Sequence, residues 1–221
     1  MNARIQSERE VIAGPVGGIE VLTELPDGAP RAIALIGHPH PLFGGTMNNK
    51  VVLTVARALR ELGCVAVRSQ FRGVGASEGT HDEGRGETDD QLAVIEHAIA
   101  RHGDLPVIVA GFSFGAFVAT RVADVLAERG RPVAGMVLVG LATGSIEGIR
   151  HYEPGPVRDD ALVIHGQHDE VVPLASVLAW AAPQHLAVSV IGDTGHFFHG
   201  KLHMLRVLVE RWWRATAPAG A

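Results

Sequence analysis

The sequence predicts an α/β fold, with a mostly parallel central sheet of about eight strands and helices on both faces. Three observations carry this. Short apolar runs such as 31–37, 106–110 and 133–141 lack the alternation of a half-exposed strand, the mark of strands covered on both faces. Segments with apolar residues at helical spacing separate them, as βαβ units require. No Ser- or Pro-rich linker interrupts the pattern, so residues 1–221 read as one domain.

Two strand-like runs open the chain, around Val11-Ile12-Ala13 and Ile19–Thr23. The second alternates apolar and polar residues, as an antiparallel strand near a sheet edge does. A turn at Pro26-Asp27-Gly28 leads to the strand 31–37. His38-Pro39-His40-Pro41-Leu42-Phe43-Gly44-Gly45-Thr46 follows and, rich in Pro and Gly, is expected to be irregular. Asn48 or Asn49 caps a helix with apolar positions Val51, Val52, Val55, Ala56, Leu59 and Leu62, stopped by Gly63. Cys64–Phe71 is the next strand, and Arg72–Gly79 leaves it as a flexible loop. Its G-x-G-x-x-x-G spacing, with loop rather than helix after it, does not fit a dinucleotide fingerprint. A helix over 87–102 precedes the strand 106–112 and a helix over 114–129. Strands at 133–141 and 161–165, a helix near 173–182, a strand at 187–191 and an amphipathic helix from about 197 to 214 complete the chain.

Hydrophobic residues at 47% and charged residues at 19% are ordinary for a globular protein with a sizeable core. A net charge of −5 without a Lys/Arg stripe argues against a nucleic-acid surface. The single cysteine, Cys64, excludes an internal disulfide and reads as a buried, inert thiol. The first ten residues lack the apolar core of a signal peptide and no stretch is long enough to span a membrane, so a cytoplasmic location is expected.

Strand, G-x-S-x-G, helix is the context of a nucleophile elbow, and Gly111-Phe112-Ser113-Phe114-Gly115 sits in it. Side chains two before and two after the serine would clash in so tight a turn. The first amides of the following helix lie beside the hydroxyl and favour negative charge there. Serine needs a neighbouring base. His196, in Gly192-Asp193-Thr194-Gly195-His196-Phe197-Phe198, follows the last strand and lies C-terminal to Ser113. A carboxylate must hold that base in one tautomer. Asp169, in His165-Gly166-Gln167-His168-Asp169-Glu170, leaves the strand before the one leading to His196; Glu170 and Asp193 are its rivals.

On these motifs, and on His165-Gly166-x-x-Asp169-x-x-Val172-Pro173 and Gly195-His196, the chain resembles the α/β-hydrolase fold family over nearly its whole length. The order Ser113, Asp169, His196 matches that family's nucleophile, acid and histidine. The 38–45 loop looks like that of small, lidless, dienelactone-hydrolase-like esterases, although His38-Pro39 replaces a common His-Gly and Gln70 stands where many relatives carry Asp. The resemblance implies an oxyanion hole of two backbone amides, one from Phe114 and one from the loop after the 31–37 strand. Pro39 and Pro41 have no N–H, which leaves His40, with Leu42 next. About 19 residues, broken by Gly and Pro, separate Ala142 from Ala161, too few for a helical cap. The expectation is therefore a cofactor-free serine hydrolase acting on small esters at an open site, with no metal. Thioester, lactone and peptide substrates would use the same residues, and a non-catalytic binding module is a reading from another class. A zinc site of His196, His199 and His203, at i, i+3 and i+7 on one helix, is the metal alternative.

Overall fold

The computed structural model describes residues 6–146 and 150–217. An eight-stranded sheet organises them. The antiparallel pair β1 (Ser7–Gly14) and β2 (Gly17–Glu24) forms one edge. β2 pairs antiparallel with β4 (Cys64–Ser69). From there every pairing is parallel: β4 with β3 (Ala32–Gly37), then β5 (Val107–Phe112), β6 (Gly135–Val139), β9 (Leu162–Gly166) and β10 (Val188–Ile191). The chain crosses over from β3 through α1 (Lys50–Glu61) to β4, and from β4 through α2 (Arg85–His102) to β5. α3 (Phe114–Glu128), α4 (Leu174–Ala181) and α5 (Leu202–Thr216) complete the helices.

Strand alternation divides the core between the two faces. Ile33, Leu35 and Val109 pack with Leu92, Ile95, Val118 and Val122 of α2 and α3. Ala34, Ile36, Ile108 and Ala110 pack instead with Val51, Val52, Val55 and Leu59 of α1 and Leu205, Val209 and Trp213 of α5. Helices thus cover both faces, and the continuous apolar runs follow from that double burial. Asn49 is the cap of α1: its Oδ1 accepts from the Val51 amide at 2.9 Å.

Four expectations need correction. The segment Pro41–Phe43 is a single 3-10 turn, because Pro41 supplies a preset φ and His40 accepts from the Leu42 amide. The loop after β4 is knit by Ser77 N to Val74 O, Ser77 Oγ to Gln70 O and Glu78 N to Gly18 O, and is not a loose connection. Between β6 and β9 the chain forms a small antiparallel hairpin, β7 (Gly144–Ile146) with β8 (Arg150–Tyr152), where only loop was expected. It is far too small for a cap. Finally, α5 begins at Leu202, after a turn with Phe198 at φ 54°.

Candidate active site

Ser113 stands at the C-terminal end of β5 with φ 56° and ψ −118°, a strained conformation held by Ser113 N donating to Val139 O at 2.9 Å. The elbow glycines are required by contact. A Cβ on Gly115 would lie 2.4 Å from the backbone of Gly37, and one on Gly111 would lie 2.2 Å from Gly115. Helix α3 therefore starts against the end of β3, and this brings the 38–45 loop beside the serine.

His196 arrives from the loop after β10. Its Nδ1 lies 2.8 Å from Oδ2 of Asp169, in the loop after the adjacent strand β9. An ionised carboxylate only accepts, so Nδ1 carries the proton and Nε2 is left with its lone pair. The other Asp169 oxygen accepts from the amides of Val171 at 3.0 Å and Val172 at 2.7 Å. Burial pushes the Asp169 carboxyl up, but the hydrogen bond and charge of His196, the Val172 amide and His165 outweigh it, leaving the pKa below the usual value. The rivals do other things. Glu170 Oε2 accepts from the His196 backbone amide at 3.1 Å. Asp193 is exposed, with its own amide donating to Gln167 Oε1 at 3.0 Å. Phe112 and Phe197 flank the imidazole, with ring centroids at 4.8 and 5.2 Å.

Ser113 and His196 line one cavity of about 250 Å³, with Pro39, His40, Phe43 and Val171 in its walls. Among the described residues, no hydrogen bond joins Ser113 Oγ to the imidazole; unliganded sites often tighten only on substrate. Phe114 is the first residue of α3, so its N–H has no partner within the helix. Leu42 N–H donates to Nδ1 of His40 at 3.2 Å, whereas the His40 N–H meets no acceptor among the described residues.

His38 and His165, both within stretches quoted from the sequence, are supporting residues. His38 Nδ1 lies 2.6 Å from Pro39 O, and its Nε2 accepts from Phe71 N at 2.9 Å. Burial, against the opposing pull of that carbonyl, lowers its pKa to about 4, so the ring is a neutral clamp between the loops after β3 and β4. Gln70, in the position where Asp was expected, accepts from Met47 N at 3.0 Å and ties the same two loops. His165 Nε2 contacts Val172 O at 2.9 Å and lies 3.3 Å from Asp169 Oδ2.

The three-histidine arrangement does not form. His196 and His199 lie in the loop before α5 and only His203 is on it, so they share no helical face. Among the described residues no group of three or more His, Cys, Asp or Glu is placed to hold a metal ion. Cys64 is buried, and burial pushes its thiol up to about 12. No described helix is long and apolar enough to cross a membrane.

Residues 40–154 match a family model described as serine aminopeptidase, S33; Ser113 lies inside that range and Asp169 and His196 outside it. Over 98% of this chain and 97% of the other, the structure matches XC6422 from Xanthomonas campestris, an α/β serine hydrolase without lid, at TM-score 0.86 and 36% identity. The chain belongs to the α/β-hydrolase family. The hydrolase is also similar to an α/β serine hydrolase homologue from Coxiella burnetii, at TM-score 0.81 and 40% identity over 92% and 96% of the two chains. Lysophosphatidylserine lipase ABHD12 of Gallus gallus is 35% identical over 109 residues, 47% of this hydrolase and 28% of that lipase. A protein of Rickettsia prowazekii is 39% identical over 110 residues, 46% of its length. The hydrolase thus spans less than half the length of the curated relatives it matches.

Proposed function

We propose that this hydrolase cleaves small carboxylic esters through an acyl-enzyme on Ser113. The observation that carries the reading is the 2.8 Å hydrogen bond from His196 Nδ1 to Asp169, with His196 and Ser113 in the wall of one cavity. With Nδ1 committed to Asp169, Nε2 takes the Ser113 proton as Oγ attacks the ester carbonyl. The tetrahedral oxyanion is met by the N–H groups of Phe114 and His40, two donors fixed before substrate arrives. The imidazolium then gives its proton to the departing alkoxide. Water repeats the sequence on the acyl-enzyme, and Ser113 and the acid are released. No step calls for a cofactor. The absence of a cap leaves the cavity open, which suits small esters.

The choice of acid is directly testable. Asp169→Asn should lower kcat by on the order of 10⁴ through the wrong tautomer, with folding nearly unaffected. Asp193→Asn should cost far less, since Asp193 is turned to solvent. The reverse ranking, measured with a nitrophenyl ester, would show that the acid lies on the loop after β10.

A further inference from the structure

A second cavity, of about 590 Å³, adjoins the catalytic one, and the two share His40, Phe43 and Arg150 in their walls. Three separate elements each bring it a guanidinium: Arg85 from the first turn of α2, Arg121 from α3 and Arg150 from β8. Glu83 is the opposing carboxylate in the wall, 3.5 Å from Arg85 with its side chain largely in solvent, and Arg85 also pairs with Asp82 at 3.1 Å. On a chain of net charge −5, this concentration of positive charge runs against the whole.

Arg121 is the informative member. Its guanidinium lies 5.8 Å from the Phe117 ring centroid, and among the described residues no carboxylate pairs with it. Its Nε is buried without an acceptor. A buried donor on a charged group left unpaired is costly, and the same guanidinium lines the cavity. Arg150 lies over the Phe43 ring at 4.1 Å and lines both cavities, so it sits at their boundary. Guanidinium forks match the planar carboxylate and the phosphate oxygens, and three of them line this one cavity.

We infer that this arginine-lined cavity is a subsite for an anionic group, carboxylate or phosphate, carried by the ester that Ser113 attacks. The inference rests on the ester-hydrolase reading, and it assigns the specificity of the same site. The anion is held and does not react: the scissile ester lies in the smaller cavity, and the charged end extends past Arg150 towards Arg121.

Calorimetric titration of the purified protein with butyl phosphate, hexanoate and 1-butanol tests the subsite without relying on turnover. Saturable binding of an anion and not of the alcohol is expected. It should weaken by about tenfold in Arg121→Gln, the loss of one charge-assisted contact. Arg85→Gln, on a largely exposed side chain, offers a second variant with little risk to folding and should also weaken binding. A preference for butyl phosphate or for hexanoate identifies the source of the charge. The nitrophenyl monoester of glutaric acid should show a lower KM than nitrophenyl butyrate, and that advantage should shrink in Arg121→Gln. No saturable binding of either anion, or equal binding by wild type and both variants, overturns the subsite. Anion binding retained in a protein that cleaves no ester supports the subsite and overturns the ester reading instead.

Discussion

At the scale of single residues, some of the polar groups near Ser113 are held by two partners or more. His38 is an example, since a carbonyl takes its Nδ1–H and an amide occupies its Nε2. Protonation would break the second contact. Its pKa falls from 6.5 to about 4, and His40 beside it falls to the same value through burial and the charges of His81, Arg150 and His38. The unfolded chain therefore takes up protons below pH 6.5 that the folded chain refuses until about pH 4. Their contribution is intact above pH 6.5 and is lost progressively as pH falls to 4. For His38 that is about 3 kcal/mol. Urea midpoints at pH 7 and pH 4.5 should show this loss, and His38→Gln should flatten it; an unchanged slope would mean that His38 is not the acid-sensitive group. The residues doing the proposed chemistry were legible in the sequence because topology orders them: Ser113, Asp169 and His196 each follow a different strand at the carboxyl end of the sheet. The clamps were not. Gln70 to Met47 and Glu170 to His196 N join residues whose approach depends on the finished fold.

Among the elements, the junction of β3, β5 and α3 is the most tightly determined. Gly37, Gly111 and Gly115 let three backbones meet; the G-x-S-x-G spacing marks Gly111 and Gly115 in the sequence, but nothing there marks Gly37. Gly115→Ala should cost roughly 3 kcal/mol, because the new Cβ meets backbone and cannot be accommodated by a rotamer change. Gly192→Ala, whose Cβ would meet only Gln167 Oε1 at 3.6 Å, should stay within about 0.5 kcal/mol. Thermal or urea unfolding of the pair checks the contrast, and equal costs would contradict the packing argument. Other elements were harder to read. The apolar pattern of α5 extends back to about residue 197 through Phe197 and Phe198, whereas the helix begins at Leu202, because Phe198 is buried by a left-handed turn rather than by a helix. The loop after β4 looked flexible by its glycines, yet Arg72 is anchored by two 2.8 Å bonds to buried Asp90 and one of 2.7 Å to Gly86 O. Asp90 lies on a helix face whose polar residues gave no sign that they point inward.

For the whole molecule, the parallel sheet gathers the loops after β3, β5, β9 and β10 at the carboxyl ends of its strands, as open α/β sheets do for their sites. Two cores, one on each face, hold that end of the sheet fixed while the hairpin β7–β8 adds Arg150 and Tyr152 beside it without roofing it. That arrangement accounts for an open serine site with a charged annexe. The central claim is that Ser113, activated by His196, is the nucleophile. A fluorophosphonate probe followed by peptide mass mapping tests it most directly, since only an activated serine beside an oxyanion site is phosphonylated rapidly. The expected result is one adduct, on the peptide containing Ser113, lost in Ser113→Ala and strongly slowed in His196→Ala, with both variants folded. Labelling of another residue, or none on folded wild-type protein, would contradict the claim.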